Sequence, residues 1–291
     1  MAEAPPSDLA AVLDRLAVLE RKLDRANRQI EWIRELVGPF AATFPDGSML
    51  CQSLYGNKYF IDPDDRIMAP QMVVYRQWER PLSQWFTQVV TPDTVFVDVG
   101  ANFGYFTVLA ASRIGPSGQG RVVAFEPNPK LAALLQRNLQ INWSMAPVDF
   151  HAAAVAEQAG TVQLHVPAGA SANASLTRIA GEGEVVDVAA VRLDDVVPAD
   201  IAVDVLKIDV EGHEAGVLAG AKAVIARSPA IRIVMEWSPK QMRQARIDPQ
   251  TVCDLLPGFV VREFGAQGLT EARDFAWLMA QPYCNVLLTR D

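Results

Sequence analysis

The chain has 291 residues, half of them hydrophobic, with 26 Lys and Arg against 34 Asp and Glu and a formal net charge of -8. That is enough apolar material for one sizeable core plus an appendage, and a negative surface without any Lys/Arg run disfavours a nucleic-acid partner. The three cysteines, Cys51, Cys253 and Cys284, are scattered and lack disulfide or metal-ligand spacing, and no signal-peptide pattern or apolar run of spanning length occurs, so a cytoplasmic protein without a membrane span is expected.

Residues 1–7, MAEAPPS, read as an unordered lead to a helix cap at Ser7 or Asp8. Leu9, Val12, Leu16, Leu19, Leu23, Ala26, Ile30, Ile33 and Val37 then alternate spacings of three and four, the a/d seam of a coiled coil. In that register Arg15 at g meets Glu20 at e of a parallel partner. Residues 1–37 are therefore expected to be a heptad helix that joins copies of the chain over residues 9–37, because a strict 3.5 period suits a seam better than folding back onto the same chain.

Residues 38–71 read as a connecting segment, with turn signals PDG, GN and DPDD around a short strand at Lys58–Ile61. From 72 to 291 the pattern is regular: helix 72–90, strand TVFVDVG, helix 104–114, strand RVVAFE, helix 129–141, strand VDFHAAAV, then DVLKIDV, a helix, and IRIVMEW. These strands are apolar on both alternating faces, as strands covered by helices on both sides must be, which predicts an α/β fold with a doubly wound, mostly parallel sheet. Residues 156–200 interrupt the alternation with additional strands and a Ser/Asn/Gly-rich loop. No crossover helix of adequate length separates FVVREF from NVLLTR, so the final strand is expected to be antiparallel.

In VFVDVGANFGYFT a strand ends at Asp98 and the chain turns through Gly100, Ala101, Asn102, Phe103 and Gly104 into a helix. The glycines let backbone approach a ligand at the carboxyl edge of the sheet, but the spacing is G-x-x-x-G rather than the dinucleotide G-x-G-x-x-G. Asp98 would repel a diphosphate and accept hydrogen bonds from an ammonium group. Glu126 ends the next strand in VVAFEPNP, with Pro127 and Asn128 in its turn, at the roughly 20-residue distance where an acidic group takes both hydroxyls of a ribose. Adenosine with a cationic amino-acid tail describes S-adenosyl-L-methionine.

These stretches, with VRLDDVV, VLKIDVEGHEAGVLAGA and IRIVMEWSP, span roughly residues 95–240 and resemble the FkbM-family methyltransferases, a branch of the Rossmann-like S-adenosylmethionine-dependent enzymes. The resemblance implies methylation of a hydroxyl on a sugar, glycan or secondary metabolite, with the methyl donor held by Asp98 through Gly104 and by Glu126. It also implies the antiparallel final strand. The heptad helix lies outside the matched stretches.

An alcohol is a poor nucleophile until its proton leaves, so a general base is expected beside the cofactor. Asp209 at the end of DVLKIDV, His213 four residues on and Glu236 at the end of IRIVMEW are the candidates. Glu211, in the turn between Asp209 and His213, joins Asn173 and Ser175 of the loop 167–176 as a candidate for binding acceptor hydroxyls, and that loop has the composition of a mobile lid. Glu214 is read as a first-turn carboxylate that steadies its helix. Mg2+ is not the favoured reading, since Asp209 and Glu214 fall on successive elements and need not converge, while Asp194 and Asp195 sit in the extra segment. Glu79 is read as approaching the methionine end of the cofactor or forming a surface salt bridge. Trp32, Trp78, Trp85, Trp143 and Trp237 are read as packing residues, and His151 and His165 as structural. The alternatives are a catalytically idle coiled-coil assembly protein and an N-methyltransferase acting on a small molecule.

Overall fold

The computed structural model describes residues 9–36, 41–45, 47–167, 174–176 and 183–290. The chain divides into two units, Met1–Phe40 and Ala41–Asp291. In the first, α1 (Leu9–Leu36) is one uninterrupted helix, and its seam residues Val12, Leu16, Leu19, Leu23, Ile30 and Ile33 are exposed. Ser7, Asp8 and Val37 lie outside the described residues. Among the described residues no helix is long and apolar enough to cross a membrane.

The second unit opens with β1 (Ala41–Thr43), β2 (Met49–Gln52) and β3 (Lys58–Ile61), an antiparallel three-stranded sheet. Asn138 ties this sheet to the larger body by accepting from the Phe60 N–H and donating to the Phe60 and Phe103 carbonyls. Then come α2 (Met68–Val74), α3 (Arg80–Val89), β4 (Val95–Val99), α4 (Tyr105–Ile114), β5 (Arg121–Phe125), α5 (Pro129–Ile141) and β6 (Val148–His151). An insertion follows: β7 (Ala154–Val155), β8 (Gly160–Pro167) and β9 (Gly183–Val191) form a small sheet, and α6 (Leu193–Val196) comes next. The remainder is β10 (Val205–Ile208), α7 (Glu214–Ala219), α8 (Lys222–Arg227), β11 (Arg232–Trp237), α9 (Pro239–Gln244), α10 (Gln250–Leu255), β12 (Phe259–Gly265), β13 (Gly268–Leu269), α11 (Phe275–Met279) and β14 (Cys284–Arg290).

The main sheet has eight strands in the order β13-β12-β14-β11-β10-β4-β5-β6. Strands β11, β10, β4, β5 and β6 are parallel neighbours, while β14 runs antiparallel between β11 and β12. This is the expected Rossmann-like doubly wound sheet with its antiparallel final strand. The order reverses between β4 and β10, which marks the crevice where open α/β sheets bind ligands. Alternate side chains feed two cores: Val97, Val99, Leu206, Ile208, Ile233 and Met235 point to one, and Phe96, Val205 and Val234 to the other, beneath α4. Asp98, Lys207, Asp209 and Glu236 fall on this second face by the two-residue period.

Three expected elements are broken. Helix 72–90 is two helices, because Arg76 and Glu79 adopt left-handed backbone conformations (φ 58° and 43°) and Pro81 starts a new helix. VDFHAAAV divides between two sheets at the turn closed by Ala153 N–H on the His151 carbonyl. The helix after Asp209 breaks at Gly220, where an added Cβ would lie 2.1 Å from the Ala156 carbonyl oxygen.

Candidate active site

Backbone hydrogen bonds gather four strand ends at the carboxyl edge. The N–H groups of Gly100 and Ala101 donate to the Phe125 carbonyl (3.0 and 2.9 Å), Glu126 N–H to His151, and Asp209 N–H to Val99 (3.0 Å). Gly100 has φ +78°, and a Cβ there would sit 1.8 Å from the Asp209 carbonyl oxygen, so the turns after β4 and β10 touch only because this residue is glycine. Glu126 is buried and staples two turns: one oxygen accepts from Asn102 N–H and the other from Asn128 N–H, both at 2.8 Å. Asn128 caps α5 through Lys130 N–H, and Gly104 starts α4 at φ +90°.

A cleft of about 310 Å³ opens at this edge. Gly100, Ala101, Asn102, Glu126 and Pro127 line one part of it, and Asp209, Glu211, His213 and Glu236 another. The two groups of residues read from separate stretches of sequence thus share one cavity. Asp98, Phe103, Gly104 and Asn128 are buried behind its wall and shape the turns. Ser175 is also buried, donating its hydroxyl to the Glu211 carbonyl at 3.0 Å, while its neighbours Ala174 and Leu176 line the cleft. Asn173 lies outside the described residues. Glu214 accepts from Gly212 N–H and steadies its own turn, as expected, outside the cleft lining.

Asp209, Glu211 and Glu236 each bring a carboxylate oxygen within 4.8 Å of the others. Of the carboxylates in the stretch 209–214, Asp209 and Glu211 thus converge, and Glu236 from β11 rather than Glu214 completes the trio. Burial, then the charges of Asp209 and Glu214, pushes Glu211 up to about 8, and burial with Asp209 and Glu211 raises Glu236 as well. Glu79 and Glu126 reach about 7, chiefly through burial. Hydrogen-bond donors offset part of this crowding: Gln241 donates to Glu211, Tyr283 to Glu236 at 2.7 Å and Asn285 to Glu79. Burial lowers the His213 pKa, favouring neutral imidazole, and its Nδ1 is buried without a hydrogen-bond partner among the described residues.

Residues 98–265, more than half of the chain, match the methyltransferase FkbM domain. The chain belongs to the FkbM methyltransferase family. It is also similar to the 2-O-methyltransferase NoeI of Sinorhizobium fredii (strain NBRC 101917 / NGR234), 24% identical over 201 residues that cover 61% of this chain and 78% of NoeI. Solved structures similar to it include P. horikoshii TYW2 in complex with MeSAdo (15% identity, 84% and 73% of the two chains, TM-score 0.45). A SAM-dependent O-methyltransferase from Thermotoga maritima matches at 14% identity over 87% and 77% of the chains, with TM-score 0.40.

This FkbM-family chain lines its cleft with further residues that were not assigned a function from sequence. Lys207 carried a legible signal, since a charge inside an apolar strand covered on both faces demands a partner. Tyr283 and Gln241 carried none, because only the antiparallel return of β14 and the docking of α9 on the Glu211–His213 turn bring them in. Glu79 does approach the site; a surface salt bridge is not its role, as it is half-buried, lines the cleft and accepts from Asn285.

Proposed function

We propose that the chain is an S-adenosylmethionine-dependent O-methyltransferase whose acceptor is a hydroxyl of a sugar, glycan or secondary metabolite. The observation that carries this reading is the single cleft shared by the Gly100–Asn102 turn, Glu126, Asp209, His213 and Glu236. The likeness to a 2-O-methyltransferase supports oxygen as the methylated atom.

The residues fit the methyl donor. Beyond the lone pairs used by Asn102 and Asn128, each Glu126 oxygen retains one for a ribose hydroxyl. Phe125, Leu131 and Ala153–Val155 supply an apolar wall for a purine. When bound, S-adenosylmethionine supplies an electrophilic methyl on a sulfonium. The chain's own task is to hold the acceptor oxygen in line and take its proton as the C–O bond forms. Asp209 accepts the hydroxyl's hydrogen bond and His213, whose burial favours neutral imidazole, stands beside it as a further proton acceptor, while Glu236, raised to about 9, holds its proton at pH 7 and hydrogen-bonds the acceptor's hydroxyls.

Calorimetry with S-adenosylmethionine and a screen of neutral glycans and metabolites, each with Mg2+ or a chelator, test the reading. Methylated hydroxyls with turnover unaffected by chelator are expected. No binding of S-adenosylmethionine would sink the cofactor, methylated nitrogen the acceptor atom, and loss of turnover in chelator the metal-free mechanism.

The same reading includes a homo-oligomer joined through α1, supported by its exposed heptad seam, and a cytoplasmic setting, supported by three free, buried thiols. Deleting residues 1–37 is expected to lower the light-scattering mass to that of one chain and leave cofactor binding intact. An unchanged mass would exclude the coiled coil.

The crowded carboxylates also predict a pH slope. Glu79, Glu126 and Glu211 have folded values near 7 to 8 against the ordinary 4.5, so between those limits the folded state binds more protons and stability falls as pH rises. The melting temperature without ligand should decline from pH 5 to 8, and Glu211→Gln should flatten the decline and melt higher than wild type at pH 8. An equal slope in both proteins would contradict the assignment.

A further inference from the structure

Lys207 is the one charged residue in β10 and is 4% exposed. Parallel pairing sets it abreast of Asp98 on β4, and Asp209, two residues on, returns to the same face. Its Nζ lies 3.1 Å from Asp209 Oδ2 and 3.8 Å from Asp98 Oδ1, with the Phe106 ring of α4 5.4 Å away. The Thr107 hydroxyl donates to Asp98 Oδ2 at 2.6 Å. Asp98 Oδ1 has no hydrogen-bond donor among the described residues, so the ammonium is its compensation. Lys207 is also the one Lys or Arg among the described residues lining the cleft.

We propose that Lys207 is a positioning residue that fixes the Asp209 carboxylate at the cleft wall, with buried Asp98 as the rear anchor of its ammonium. This deepens the methyl-transfer reading and rests on it. Were Lys207 present only to neutralise Asp98, the shorter contact would be to Asp98. Instead the ammonium is nearer Asp209, whose side chain is 34% exposed against 1% for Asp98. Buried ion pairs are often replaceable by apolar residues without loss of stability, so the fold alone does not call for these charges. Glu79 from the start of α3, Glu126 after β5, Glu211 and Glu214 after β10, and Glu236 on β11 surround Asp209 with carboxyl groups that its charge raises. As these carboxyls ionise they repel Asp209, and the Lys207 ammonium at 3.1 Å is the counter-charge that opposes them. With Oδ2 bound to Lys207, Oδ1 is presented to the acceptor from a fixed direction.

The test compares S-adenosylhomocysteine with sinefungin, which carries an amine where S-adenosylmethionine carries its methyl-bearing sulfonium. Calorimetry on wild type, Lys207→Met, Lys207→Met/Asp98→Asn and Asp209→Asn gives the ratio of the two affinities, with melting temperature measured in parallel. Wild type is expected to prefer sinefungin by about tenfold through a charge-assisted hydrogen bond to Asp209. Asp209→Asn should abolish that preference. Lys207→Met/Asp98→Asn, which removes both members of the buried pair, should fold, keep its S-adenosylhomocysteine affinity and lose the preference too. A merely structural role for Lys207 predicts that the double variant regains the wild-type ratio, and that result overturns the proposal. So does an unchanged ratio in Asp209→Asn. If wild type binds neither compound, the cofactor reading itself fails and the proposal falls with it.

Discussion

Asp209→Asn is expected to lower turnover by about 10²- to 10⁴-fold, the usual worth of a positioned proton acceptor, while S-adenosylhomocysteine affinity stays near wild type. The substitution keeps the side chain's volume and leaves Lys207 its second partner, Asp98, at 3.8 Å. Two changes in stability oppose each other. Lys207 loses its nearer counter-ion, and Glu79, Glu211 and Glu236 lose a neighbour whose charge raises them. A melting temperature within a few degrees of wild type should result. Steady-state kinetics on the acceptor found by screening, with calorimetry alongside, separates the cases. Turnover that survives would transfer the proton to His213 or Glu236, to be separated by His213→Ala and Glu236→Gln. Loss of S-adenosylhomocysteine binding would instead mean that Asp209 belongs to the contacts shared by donor and product.

The parts of the fold that were legible in sequence are those where one physical demand governs residue choice over several positions. Strands covered on both faces must be apolar throughout, so β4, β5, β10 and β11 stood out, and the short connection before β14 left only an antiparallel return. Helix interruptions were less visible. Arg76 and Glu79 adopt left-handed conformations without glycine, and nothing local in the sequence announces that. In the site, residues at strand ends were readable because a doubly wound sheet sends its strand ends to one edge. Whether a side chain there faces the cleft or lies behind it depends on packing. Asp98 illustrates this: its position on β4 suggested a cofactor contact, but α4 covers it and gives it Thr107 and Lys207 as partners. The donors that offset the acidic cluster come from Tyr283, Gln241 and Asn285, far away in the chain, and no periodicity connects them to it.

Glu126→Ala is expected to abolish detectable binding of S-adenosylmethionine, but the two backbone N–H groups on that carboxylate mean that the loss has two sources. One is the ribose contact, the other the release of Asn102 and Asn128 from their shared acceptor. Glu126→Gln divides them. Its amide oxygen can serve one N–H, while its NH₂ meets the other donor to donor, so weaker binding by about tenfold or more and a modest fall in melting temperature are expected. The ribose part is isolated by the ligand. Removing the 2′-hydroxyl from the adenosyl group should weaken binding to wild type and leave the affinity of Glu126→Gln nearly unchanged, because the partner of that hydroxyl has already been impaired. Equal losses in both proteins would mean that Glu126 acts only as a staple between the two turns. In that case the ribose acceptor would have to be sought among the other groups lining the cleft, and the distance from Gly104 to Glu126 that suggested it would have reported the spacing of two strand ends and nothing more.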